Sequence, residues 1–141
     1  MNMIKAIKWT AITLTAAFGL AVAATAQNAT ATLPPASTKT DVTYTNDIKA
    51  ILDASCVKCH SGDKPKAQLK LDTLEGALKG SKDGKILTPG DSANSVVIKA
   101  VAHLAADHDT WMPPLNNKAG IKPLTPDQIG LLRAWIDQGA K

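Results

Sequence analysis

Both cysteines of the chain fall in Cys56-Val57-Lys58-Cys59-His60, and this C-x-x-C-H run constrains the fold more than any other feature. It is the pattern of c-type haem attachment. On a helical turn, residues three apart share a face, so the two sulfurs can reach the two vinyl groups of one haem. His60 then offers the iron a neutral imidazole, a good ligand. Two other readings use the same residues. A thioredoxin-like dithiol sits in a βαβ context, and no such alternation surrounds Cys56. A structural zinc site needs four ligands at set spacings, whereas the remaining candidates, His103 and His108, lie more than forty residues from His60. The expectation is one covalent haem c, held through Cys56 and Cys59 with His60 on the metal.

Haem of this kind is attached outside the cytoplasm, and the start of the chain fits export. Lys5 and Lys8 precede an apolar run, residues 10–24, that ends in Ala24-Thr25-Ala26, small residues of the kind signal peptidase accepts. The run has fifteen residues, three of them Thr and one Gly, which is short of the roughly 20 apolar residues of a spanning helix. Residues 1–26 are therefore read as a cleaved signal peptide, with a retained anchor as the alternative and the bacterial periplasm as the expected location. Loss of Lys5 and Lys8 leaves fourteen basic against twelve acidic side chains, a net charge of +2. Composition thus gives no support to nucleic-acid binding. Residues 27–40 are mostly Ala, Thr, Pro and Ser without apolar periodicity, the mark of a flexible linker. Residues 41–141 make one small domain whose only aromatics are Tyr44, Trp111 and Trp135. A haem would supply much of the missing core.

Hydrophobic spacing makes that domain all-α. Thr45 or Asn46 caps a helix with Ile48, Ile51 and Leu52 on one face, leading into Cys56. Asp72 and Glu75 form a capping-box-like start for a short helix closed by Gly80. A third helix is expected from Ser92 to about His103. The last is the best marked, with Thr125 as cap, Pro126 at the first position, Gln128 three after the cap and Gly139 as the stop. Strands are expected only as short pieces near residues 69–71 or 86–87.

Haem iron has a second axial position, and Met112 is the candidate for it. It stands in Trp111-Met112-Pro113-Pro114, where the prolines stiffen the loop and stop a helix. Met opposite His is an electron-transfer pair that raises the potential. The plain alternative is a core-filling methionine. His103 and His108 leave bis-histidine ligation open, although a lone His is more often a surface or capping residue.

With these pieces in place, residues 44–140 resemble the planctomycete-type cytochrome c domains, a branch of the class I cytochrome c fold. The resemblance rests on the C-x-x-C-H run together with Leu69-Lys70-Leu71-Asp72-Thr73, Gly80, Pro89-Gly90-Asp91, Ser95, Met112-Pro113-Pro114, Leu124-Thr125 and residues 132–140. It implies three to five helices around one covalent haem, thioether links at Cys56 and Cys59, and axial ligation by His60 and Met112. Residues 116–122 look longer than is usual in such domains. Many relatives carry the domain inside much larger proteins, so whole-protein functions do not transfer. The function expected is a mono-haem single-electron carrier outside the cytoplasm, not an enzyme. Its expected partners are redox proteins, and Lys58, Lys64, Lys66 and Lys70 either bias docking toward an acidic surface on them or, as such lysines more often do, form a solvated face. Membrane contact is expected only through an uncleaved N-terminus or a membrane complex. The alternatives are a haem-bearing subunit or docking module of a larger redox complex, and a haem ligand sensor or peroxidase if Met112 is not on the iron.

Overall fold

The structure, a computed structural model, describes residues 32–141. The expected signal peptide and residues 27–31 of the expected linker lie outside the described residues. Among the described residues four helices carry the fold: α1 (Lys49–Ser55), α2 (Leu74–Lys79), α3 (Val96–Val101) and α4 (Pro126–Asp137). A π-helical turn, Tyr44–Ile48, runs into α1, and short 3₁₀ turns cover Lys66–Gln68 and His108–Thr110. Among the described residues no strand forms, only an isolated bridge between Ser81 and Gly84. The two segments expected as strand pieces instead give isolated backbone bonds: Leu69 N–H to the Lys66 carbonyl (3.1 Å) and Leu71 N–H to the His60 carbonyl (2.8 Å) in the first, and Val97 N–H to the Ile86 carbonyl (2.8 Å) in the second.

Local side-chain chemistry moves three of the expected helix starts. The first helix is capped by Thr43, whose hydroxyl accepts the Asn46 N–H (3.3 Å), while the Asp47 carboxylate accepts the Thr43 N–H (2.9 Å). That reciprocal pair outcompetes Thr45 and Asn46, and the turn widens so that Ile48 N–H also reaches the Thr43 carbonyl (3.3 Å). In α2 the cap is Thr73 rather than Asp72, with its hydroxyl on the Gly76 N–H (3.1 Å). The third helix begins at Val96 because Ser92 is taken up elsewhere. Its N–H and Oγ donate to the two oxygens of Asp137 on α4 (2.8 and 2.9 Å).

The last helix forms as its sequence dictates. Thr125 and Gln128 close a reciprocal capping box with Pro126 in the first turn, and Gly139 follows the end at φ +97°. Its apolar face of Ile129, Leu132, Trp135 and Ile136 is buried in one apolar cluster with Ile48, Leu52, Ile98 and Val101. Full burial of each such side chain contributes about 1.5–3 kcal/mol. Trp135 lies in this core, 6.1 Å from the Tyr44 ring, with its N–H donating to the Lys141 carbonyl (2.9 Å). Tyr44 in turn donates its hydroxyl to the Leu71 carbonyl (3.0 Å), which ties the first helix to the loop after the C-x-x-C-H run. Burial pushes its phenol above the usual range.

One expectation needs correction. Residues 33–39, read as part of a flexible linker, are laid along α4 as a strap. Leu33 packs on the core, the Ser37 N–H donates to the Gly130 carbonyl (2.9 Å), and the Gln138 amide donates to the Lys39 carbonyl (2.8 Å). Arg133 donates from Nη1 to the Pro34 carbonyl, and Lys39 pairs with Asp47. A helix-interior glycine makes room: a Cβ on Gly130 would lie 2.7 Å from the Pro35 carbonyl oxygen. The composition fits a linker, but α4 and the residue after it take up the Ser37 N–H and the Pro34 and Lys39 carbonyls, groups that a free segment would leave to water.

Candidate haem site

The C-x-x-C-H run follows α1 directly. Cys56 N–H still bonds the Leu52 carbonyl (2.7 Å), and the N–H groups of Cys59 and His60 both turn back to the Cys56 carbonyl (3.0 Å each). Cys56, Cys59 and His60 thereby share one tight turn. Both cysteines are half-buried and neither forms a disulfide. Burial, with Cys59 nearby as a smaller cause, pushes the Cys56 thiol up to about 11. A reactive dithiol has a lowered thiol pKa, so the environment is opposite to that of a thioredoxin-like nucleophile. The zinc reading also gains nothing, since no group of three or more His, Cys, Asp or Glu that could hold a metal ion occurs among the described residues.

His60 is 8% exposed, and its Nδ1 lies 3.2 Å from the Lys66 carbonyl oxygen. A donor at Nδ1 leaves the Nε2 lone pair free for a metal, and such a partner fixes both tautomer and ring orientation. Burial lowers the ring's pKa, with the Lys66 carbonyl opposing it. The loop that supplies this carbonyl is fastened at both ends, by Lys66 N–H to the Cys59 carbonyl (3.0 Å) and Leu71 N–H to the His60 carbonyl (2.8 Å). Between them Ala67 and Gln68 adopt left-handed conformations at φ +53° and +55°, a strained pair held by its surroundings.

Met112 is half-buried and packs against the main apolar cluster, as do Cys56 and Val57. Its N–H donates to the Ala100 carbonyl (3.1 Å), which fixes the loop to α3. The bond to Pro113 is cis. Segment 116–122 is closed by one side chain that the sequence does not single out. Asn117 donates its amide to the Pro114 and Ile121 carbonyls (2.9 and 3.0 Å) and accepts the Ile121 N–H (2.7 Å). His103 and His108 both pack on Trp111, with ring centroids 4.8 and 4.1 Å away.

The donor set suits a haem c. Two thiols and a tethered imidazole share one turn, and a thioether meets the apolar cluster that also takes in Cys56. Among the described residues, two buried side-chain atoms lack a hydrogen-bond partner, Asp72 Oδ1 and His103 Nε2.

A C-x-x-C-H turn of this kind, closing the first helix of an all-helical domain, defines a c-type cytochrome domain. Residues 56–116, from the first cysteine past Met112, match the family described as Planctomycete cytochrome C, which supports a planctomycete-type cytochrome c domain over that stretch. No curated protein and no solved structure matches the chain. A cytochrome c domain implies haem c and haem-based electron transfer, and such domains are typically exported. No helix among the described residues is long and apolar enough to cross a membrane.

Proposed function

We propose that the chain is a mono-haem c-type cytochrome that carries single electrons outside the cytoplasm. Cys56 and Cys59 would hold the haem through thioethers, and His60 and Met112 would fill the two axial positions. When bound, the haem supplies a one-electron iron couple. The protein's own contribution is to hold each donor still. The Lys66 carbonyl orients His60, the bond from Met112 N–H to Ala100 anchors the distal loop, and the apolar cluster excludes water from both.

The observation that carries this reading is the His60 ring, buried, with Nδ1 tied to a carbonyl so that Nε2 is left for iron. Export follows from the cofactor class and the N-terminal pattern. For partners, Lys58, Lys64, Lys66 and Lys70 are all exposed, and Lys58 with Lys122 lines a groove of about 570 Å³ between the end of α1 and residues 119–123. These lysines favour an acidic redox partner through steering that weakens with salt.

The test is the absorption spectrum of the purified holoprotein in both oxidation states, with carbon monoxide added to the reduced form. The carrier reading expects a low-spin c-type spectrum, one haem per chain and slow or absent binding of carbon monoxide. Prompt stoichiometric binding would replace the carrier with a ligand sensor or peroxidase.

A further inference from the structure

Trp111 precedes Met112 and is held from three sides. Its indole N–H donates to the Ala105 carbonyl (2.9 Å). The His103 ring lies nearly parallel to it, at 9° and 4.8 Å between centroids. His108 leans on it at 42° and 4.1 Å. The backbone reinforces this geometry, because one carbonyl, that of Ala100, accepts both the His103 N–H (3.2 Å) and the Met112 N–H (3.1 Å). His103 reaches its stacking position only by taking a left-handed conformation, φ +55°, just beyond α3. On the other side, the turn that carries His108 is locked by Asp107, which accepts the Asp109 N–H (2.9 Å) and the Thr110 hydroxyl (2.6 Å).

We propose that His103 and His108 are positioning residues: with Trp111 they form an aromatic clamp that holds the Met112 thioether in place and keeps other ligands off the sixth position. The inference rests on the reading that Met112 is an axial ligand. A thioether in a loop stays on a metal only as long as the loop stays closed, and local opening of such segments is what admits an outside ligand. Between Val101 and Pro126 the chain has only the turn His108–Thr110 as regular structure; Asn117 closes its second half, and the stack on Trp111 braces the half that leads into Met112. His103 acts through ring contact, as its Nε2 is buried and makes no hydrogen bond, and His108 leans on the same indole.

The test uses the full-length holoprotein and compares His103→Ala, His103→Phe and His108→Ala. Two quantities are read: the weak far-red band of Met-ligated ferric haem, and the rate at which the reduced protein binds carbon monoxide. His103→Ala should weaken the band and raise the rate about two- to tenfold, the range set by one aromatic pair. His103→Phe keeps the stack without the nitrogen and should restore both readouts. His108 is exposed, so His108→Ala should fold normally and move both in the same direction, which gives a test even if His103→Ala is unstable. The clamp is overturned if the Ala variants match wild type, or if His103→Phe is as damaging as His103→Ala, since His103 would then act through Nε2. A wild-type protein without the far-red band would instead remove Met112 from the iron. That failure is seen before any clamp variant is made.

Discussion

Gly130 offers a sharp test of the strap, because helix propensity and packing there predict opposite signs. In a helix interior, Gly→Ala stabilises by about 1 kcal/mol. Here the new Cβ would lie 2.7 Å from the Pro35 carbonyl oxygen and 3.5 Å from the Ser37 nitrogen. The obstacle is backbone, so the strap itself must lift. Lifting breaks the bond from Ser37 N–H to the Gly130 carbonyl, worth about 1 kcal/mol. It also loosens the charge-assisted bond from Arg133 to the Pro34 carbonyl, about 1.5–3 kcal/mol at full strength. Against the propensity gain, the net loss should be about 1–2 kcal/mol, or roughly 4–12 °C in Tm for a domain of this size. The assay is thermal unfolding of the holoprotein followed by far-ultraviolet circular dichroism, since haem quenches tryptophan emission. A chain begun at Thr40 supplies the second arm. Without the strap, Gly130→Ala should raise Tm by the propensity alone. A rise of Tm in the full chain would refute the docking of residues 33–39 on α4.

Met112→Ala should abolish the far-red band and lower the reduction potential; an unchanged spectrum removes Met112 from the iron. Replacing Cys56 and Cys59 together by Ser should leave any haem extractable into acid acetone, and covalent retention would contradict thioether attachment. Asp137→Ala strips the partner from the N–H and Oγ of Ser92, a residue 1% exposed, and should cost about 2–4 kcal/mol in denaturant unfolding. The Lys39 ammonium, and after it the Thr43 N–H, hold the Asp47 carboxyl below its usual value of 3.8. Its stabilising effect is therefore complete above that value and lost as pH falls through the lower folded one. The stability gap between wild type and Asp47→Asn, measured at pH 7 and again below pH 4, should narrow on acidification.

What the sequence showed and what it hid separate by distance along the chain. Thr125, Pro126, Gln128 and Gly139 act on their own neighbours, so α4 was legible to the residue, and the same holds for the turn that puts Cys56, Cys59 and His60 together. The cap of α2 was misplaced by one residue, since Asp72 and Thr73 are both good caps and only the hydroxyl of Thr73 meets the Gly76 N–H. Longer contacts were invisible. Ser92 reads as a helix start until Asp137, 45 residues on, takes both its donors. The strap reads as a linker because the group that fixes it, Arg133, lies 99 residues from Pro34. Its one local trace was Gly130, a glycine between good helix formers in an otherwise ideal helix, which marks a close backbone approach. The distal side lies between these extremes. Met112 stands out as a candidate because it is the one Met beyond residues 1–26 and two prolines follow it, whereas the pairing of His103 and His108 with Trp111 depends on a left-handed residue after α3 that no spacing rule foretells. His60, the proposed proximal ligand, thus sits in a tight local turn that the sequence specifies. Met112, the proposed distal one, sits on a loop whose contacts, the Ala100 carbonyl and the rings stacked on Trp111, come from outside its immediate sequence, and variation among such domains should concentrate there.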